Sequence, residues 1–596
     1  MVITLNEARV AQSKAAIEPD SELEALANPS RDYMAEEPPP PSGVFEIALV
    51  LAGGISAGAY TAGVFDFLIE ALDAWEQAKR DQPDNVPSHS VKIKVVSGAS
   101  AGAMTGAIAA SALRYRFQHG EPQQPEANPF YKAWVKDIDI GHLLKRLDLN
   151  TPSQAIASLL DSTSLDRITQ DALGYRGPPV VRPYIEGGVR FIFAQAGLRG
   201  IPYYLNFRGH ASTGLRMSTH RTYHSFYVPY GHRGRPRPDD EVLDVRDTSQ
   251  SAPNDSGWRN LGNAALASGA FPVGLRAREE LRRPSDLEWR YAAVAGNYVK
   301  LVPAWSQPVN GLAPAPPQDY YAEFVVDGGA MNNEPLDFAR TELAGLLGRI
   351  ESSGGKAQRT LVLVDPFPDQ PILDFRNRDD KHKGDLESIC LKLAGAFKSQ
   401  AKFSPGDLAR ALHPSEYSRF LLAPSRKPDN APDGWLPPPV PMASASLQGF
   451  GGFLDESYRR HDYLLGRRNC QQLLRFHFGL LRENPAFMAR DAAVNAKYSQ
   501  EMENRDEFAI IPLIGSLAET LPLPDWPSQP IALNAVVSAA YRRAKAVGNA
   551  LARRRGLSAH IFTKLGFVFF GWKLMRAVRK LIADDLKAKE LPYSLS

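Results

Sequence analysis

The chain has 596 residues, 44% of them hydrophobic, a net charge of only +3 and two cysteines, Cys390 and Cys470. Such a length exceeds one ordinary domain, and the apolar share supplies a buried core. Two distant cysteines in no ligand spacing exclude a disulfide framework and a structural zinc site, and they fit a reducing compartment.

The charge is uneven, with eight acids and three bases in residues 1–44 against thirteen bases and three acids in 541–596. The first residues lack a basic stretch followed by an apolar run, and no window of 18 apolar residues occurs. The expectation is a cytoplasmic protein without a spanning helix, whose basic end suits an anionic partner.

In chain order, residues 1–44 are polar and close on "EEPPPPSG", a stiff linker predicted to form a disordered arm outside the fold. From Phe45, "FEIALVLAGG" predicts a buried strand ended by glycines. The next segment spaces Val64, Phe67, Leu68, Ala71, Leu72 and Trp75 as one face of a helix. "VKIKVVSG" predicts a second strand and "AGAMTGAIAASALRYRF" a second helix. Strand, helix, strand in some fifty residues is a βαβ unit, so the two strands should be parallel neighbours ending at one sheet edge. Strand patterns return at "AEFVVDGG" and "QRTLVLVDPFP", which place the end of a catalytic-sized domain, 45–368, near Pro368. A mainly helical region, 369–550, follows, and then a basic amphipathic tail, 551–596.

Two G-x-S-x-G pentapeptides stand at the ends of the first two strands, "GISAG" around Ser56 and "GASAG" around Ser100. A strand turning sharply through Gly98 and Gly102 into a helix can hold Ser100 exposed on a strained elbow, as a nucleophile needs. Acyl transfer also needs N–H donors where the oxyanion forms. The glycine pair before Ser56 supplies them from backbone, so Gly53, Gly54 and Ile55 are the candidate oxyanion hole, with Ser56 a small turn residue. A base is required too. His220 and His224 lie in a tyrosine-rich stretch that suits packing or a loop equally well. Asp327 ends an apolar strand before Gly328, which should bring its carboxylate to the same edge, either as the base or as a cap for the next helix.

These stretches together resemble the patatin-like phospholipase family. "LVLAGGISAGAYTAGVFDFL" is similar to its glycine-rich oxyanion loop, "VVSGASAGAMTGAI" to its serine elbow, and "VVDGGAMNNEPLDFA" to its Asp-Gly block with a following N-x-P. "NAALASGAFPVGL" resembles its Ala/Ser-rich segment leading to a proline. The resemblance covers about half the chain, in the family's order. It implies a three-layer α/β fold with a mainly parallel sheet, a Ser/Asp dyad of Ser100 and Asp327 without histidine, and hydrolysis of acyl esters of phospholipids or related lipids. It implies no metal or cofactor. In the family's loop a glycine stands where this chain has Ile55, and a basic residue where it has Ala57, which motivates the competing reading of a membrane-associated binding or regulatory protein on a degraded site. The tail, with Ile561, Leu565, Val568, Trp572, Met575 and Ile582 on one face and Lys573, Arg576 and Lys580 on another, suits an anionic bilayer surface or packing on its own protein. No nucleic-acid motif accompanies its charge.

Overall fold

A computed structural model of the chain describes residues 36–149, 155–205, 215–231, 236–245, 256–288, 290–294, 297–301, 303–304, 320–346, 348–368, 416–428, 431, 440–554, 573 and 575–595. Most of the arm expected at the start lies outside these residues. Its last part does not stand apart: Glu37 N–H donates to Ala344 O and Gly43 N–H to Pro485 O, each at 2.9 Å, and the first strand already begins at Val44.

The core is a nine-stranded sheet. Its strands are β1 (Val44–Leu51), β2 (Ser90–Gly98), β3 (Val189–Leu205), β4 (Leu215–Val228), β5 (Asp240–Val242), β6 (Arg278–Arg282), β7 (Tyr321–Asp327), β8 (Arg359–Val364) and β9 (Arg419–Leu422). From one side the order is β9, β8, β1, β2, β3, β4, β5. The pairs from β9 to β3 are parallel, and β3 with β4 is antiparallel. The expected βαβ unit is present, with Leu51 opposite Gly98 at the shared edge.

Residues alternate along β1 because a parallel strand is covered on both faces. Ile47, Leu49 and Leu51 face one layer of helices, α1 (Gly58–Asp81) and α2 (Ala101–Ala112). Ala48 and Val50 join Leu336, Ala339 and Leu343 of α4 (Leu336–Ala344) on the other face; α3 (Ser256–Ser268) precedes β6. The architecture is therefore the three-layer α/β fold with a mostly parallel sheet.

Helix α1 buries the predicted face and more: Phe65 and Ile69, off that face, are also inaccessible. A second helix packs along α1, α5 (Glu456–Gln472), whose N-cap Asp455 accepts from Ser457 N–H. Glycines allow the close crossing. A Cβ on Gly63 would lie 1.9 Å from Tyr463 O, and one on Gly466 2.2 Å from Tyr60 O. Although the segment Ile55–Asp81 is long and apolar enough to span a bilayer, 89% of its most apolar window is buried inside the protein.

The boundary expected at 368 does not separate two packed bodies, since β9 extends the same sheet through β8 and α5 lies along α1. Toward the end, α6 (Leu533–Arg554) contributes Leu533 and Val537 to a small core that also takes Ile582, Leu586 and Leu591. Met575 and Val578 pack on it, so the described part of the tail turns its apolar face inward and leaves Lys573, Arg576 and Lys580 exposed. Ile561, Leu565, Val568 and Trp572 lie outside the described residues, as does Cys390.

Candidate active site

Strand β3 explains how two residues 227 positions apart meet. On one of its edges β2 runs parallel as far as Gly98, opposite Phe193. There β2 stops and β7 takes over the same edge, antiparallel, ending with Asp327 opposite Gln195. Two strand ends thus abut from opposite directions. The Ser100 hydroxyl donates to Asp327 Oδ2 at 2.9 Å.

Ser100 sits at φ 52°, ψ −123°, a conformation most L-residues avoid, immediately before α2. Side-chain-free neighbours make the turn possible. A Cβ on Gly102 would lie 2.1 Å from Leu51 O, and one on Gly98 2.7 Å from Ala103 N. Gly328 is equally constrained, with Ala194 O only 2.0 Å from where its Cβ would be. Asp327 is fixed at its second oxygen by Gly329 N–H at 2.8 Å, and its own N–H donates to Ala270 O at 3.0 Å. The capping contact and the contact with Ser100 coexist, because a carboxylate has two oxygens to offer.

Ser268, at the end of α3, is a residue the sequence reading placed only inside a motif. It is inaccessible to solvent. Its hydroxyl accepts from Ser100 N–H at 2.9 Å and donates to Ala194 O at 2.6 Å. It therefore ties the strained elbow to β3 one residue before the position that pairs with Asp327. No local periodicity marks such a bridge.

The glycine loop needs one correction. Gly53 N–H, expected among the oxyanion donors, donates instead to Asn333 O at 3.2 Å. The requirement at Gly53 is steric: its Cβ would lie 2.5 Å from Asn333 Oδ1 and 3.1 Å from Ser100 Cβ. Among the described residues, the N–H groups of Gly54, Ile55 and Ala101 meet no acceptor. Ala101 was not anticipated, although the residue after an elbow serine opens a helix and its N–H has no intrahelical partner. Ile55 tolerates the glycine position at a cost, taking φ 51°.

Ser56 is engaged away from Asp327. Buried completely, it donates to Gly449 O at 2.5 Å and accepts from Gly452 N–H at 3.0 Å, contacts with a segment nearly 400 residues away. That segment returns over the site. Phe450 and Phe453 join Ile55, Ser100, Ala101 and Asp327 around an apolar cavity of about 30 Å³. A second cavity of about 30 Å³ shares Met104, Trp134 and Ile138 with the first.

The histidines of the tyrosine-rich stretch serve packing. His224 is held by Glu280 at 3.0 Å and Glu241 at 3.3 Å. Burial pulls its pKa down, but the hydrogen bonds to Glu241 and Glu280 outweigh this and lift it to about 9. His220 Nδ1 donates to Gly197 O of its own sheet, 2.7 Å away. The side chains that hydrogen-bond to Ser100 are those of Asp327 and Ser268.

Comparison with known proteins agrees with this construction. A family model, "Patatin-like phospholipase", matches residues 49–340, which hold the end of β1, the elbow and Asp327. The chain is 33% identical over 518 aligned residues to a Sinorhizobium fredii protein described as "Uncharacterized protein y4iI", covering 81% of this chain and 72% of that one. A solved structure, VipD from Legionella pneumophila, aligns at 13% identity over 73% of this chain and 74% of that chain with a TM-score of 0.21, a superposition too loose to carry an argument. The likeness to the S. fredii protein takes in far more of the chain than the family model does. With its sheet, its elbow and its Asp-Gly block in the family's order, the chain belongs to the patatin-like phospholipase family and is a lipid acyl hydrolase in kind.

Proposed function

We propose that the protein cleaves acyl esters of phospholipids or related lipids through a Ser/Asp dyad and an acyl-enzyme. The observation that carries this reading is the 2.9 Å hydrogen bond from Ser100 to Asp327 on a strained elbow beside a buried apolar cavity. Asp327 accepts the hydroxyl proton as Ser100 Oγ bonds to the ester carbonyl carbon, so that the carbonyl becomes a tetrahedral oxyanion. The N–H groups of Ile55 and Ala101, with Gly54, receive that oxyanion. As the C–O bond to the leaving alcohol breaks, the proton passes from Asp327 to the alcohol. Water, deprotonated by Asp327, then releases the fatty acid and restores Ser100.

Loss of the family's basic residue at Ala57 removes a nearby cation but none of these steps. Peripheral contact with an anionic membrane belongs to the same proposal, supported by the exposed Lys573, Arg576 and Lys580.

The test is hydrolysis of mixed phospholipid vesicles and of a soluble p-nitrophenyl ester, alongside labelling by a fluorophosphonate. Ser100→Ala should abolish both, and Asp327→Asn should lower hydrolysis at least a hundredfold. A folded, lipid-bound wild type that takes no phosphonate and cleaves no ester would favour the binding-protein reading instead.

A further inference from the structure

The segment that touches Ser56 lies outside the residues matched by the family model, yet it reaches the site. Its backbone is unusual. Leu447, Gln448 and Gly449 take φ of 52°, 56° and 97° in succession, a left-handed run that persists only if the surroundings fix it. They do. Asp462 of α5 accepts from the N–H groups of Ala443 and Ser444, each at 2.9 Å, and Asp585 accepts from Leu447 N–H at 2.7 Å. The buried Arg459 donates to Gly452 O at 2.7 Å and to Val135 O at 3.0 Å.

The result of this anchoring is delivered at two places. Phe450 is set edge-on against Phe271, with ring centroids 5.4 Å apart, and both rings line the cavity beside Ser100. Ser56, one residue after the left-handed Ile55, is clamped between Gly449 O and Gly452 N–H. A Cβ on Gly449 would already lie 3.5 Å from Ile55 Cδ1. The oxyanion loop, which in this chain has an isoleucine at a glycine position, is thereby held by the C-terminal segment rather than by its own backbone preference.

We infer that residues 443–453 form a specificity-determining wall of the site: Phe450 limits the length of acyl chain accepted beside Ser100, and Ser56 is a positioning residue that locks this wall to the oxyanion loop. The inference rests on the hydrolase reading above for the identity of the ligand, a fatty acyl chain. The cavity accounts for the limit. At about 30 Å³ it is lined by Phe450 and Phe453 together with Met104, Trp134 and Ile138. Truncating Phe450 enlarges it without altering Ser100 or Asp327.

The full-length protein is assayed on p-nitrophenyl esters from acetate to palmitate, with unfolding curves recorded for every variant. Phe450→Ala should raise kcat/KM for dodecanoate relative to acetate at least tenfold. Ser56→Ala should lower kcat at least tenfold on all esters with KM moved less than threefold, and Ser56→Thr, which keeps the hydroxyl, should recover part of the loss. A second arm works without turnover: in the Ser100→Ala protein, decanoate and palmitate displace a fluorescent fatty acid, and adding Phe450→Ala should change the ratio of their affinities about tenfold in favour of palmitate. Wild-type hydrolysis with an unchanged chain-length ratio in Phe450→Ala overturns the wall and leaves the hydrolase standing. No hydrolysis by wild type with a shifted affinity ratio does the reverse. If Ser56→Ala does not fold, an unshifted ratio in Phe450→Ala by itself overturns the inference, and the absence of both hydrolysis and fatty-acid binding overturns it together with the reading beneath it.

Discussion

Replacing Ser268 with alanine removes one hydroxyl and leaves two buried groups without the partner they now have. Ser100 N–H loses its acceptor at 2.9 Å and Ala194 O its donor at 2.6 Å. Each unmet buried polar group costs about 1–3 kcal/mol, so the variant should be destabilised by about 2–4 kcal/mol after partial relaxation. Stability alone would not distinguish a structural serine from one that places the nucleophile. The elbow conformation of Ser100, at φ 52°, is itself a high-energy state, and Ser268 is the side chain that holds its amide. Without that hold Oγ drifts from its 2.9 Å approach to Asp327, and displacements of about 1 Å can cost on the order of a hundredfold in rate. Ser268→Ala should therefore lose about ten- to a hundredfold in kcat on a soluble ester, measured where urea titration shows it fully folded, with KM almost unmoved. Ser268→Thr should retain most of the rate. A Ser268→Ala protein that is less stable but turns over at the wild-type kcat would refute the reasoning.

Three other outcomes follow from buried groups elsewhere. His224 has its pKa raised from 6.5 to about 9 by Glu241 and Glu280, with Asp286 adding to the negative field, so its contribution is complete below pH 6.5 and lost as pH climbs through 9. The free energy of unfolding should fall over that window by up to ~3 kcal/mol, and His224→Asn, less stable throughout, should lack the fall. Gly63→Ala would push a methyl to within 1.9 Å of Tyr463 O at the α1 and α5 crossing, and loss of a few kcal/mol or failure to fold is expected by calorimetry, about the range for overpacking. Cys470 is buried and its thiol is pushed far up by that burial, so a thiol reagent should leave it unmodified in the native protein and modify it on unfolding.

What could be read from the chain was whatever is written locally. Apolar runs closed by glycines marked β1, β2 and β7, and the positions of Ser100 and Asp327 at strand ends followed from them. Parallel pairing of β1 with β2 followed from the short helix-bearing connection. The pairing of β7 with β3, on the edge β2 vacates, did not, since antiparallel insertion leaves no trace in either strand's own pattern. The Gly53 N–H was misjudged for the same reason: its acceptor, Asn333 O, lies 280 residues on. Ser56 looked like a turn residue because its partners, Gly449 and Gly452, are remote and themselves unremarkable in sequence. Helix α1 shows one apolar face by spacing, whereas Tyr60 and Gly63 are also buried, because α5 crosses there and adds a second packing surface that no three-and-four periodicity in α1 can announce.

Strand β9 spans only four residues, Arg419–Leu422, but it occupies the outer flank of β8, whose six residues Arg359–Val364 are almost all buried. A parallel strand of this composition, Arg-Thr-Leu-Val-Leu-Val, stripped of its neighbour would expose a row of unsatisfied amides and carbonyls next to apolar side chains, the surface on which chains stack edge to edge. A fragment cut after Pro368 would present that flank and, with α5 gone, the second face of α1 as well. Such a fragment should precipitate or form sheet-rich aggregates that bind amyloid dyes, while the full-length chain stays dispersed, so the short strand β9 acts as a guard against self-association as well as the last member of a sheet.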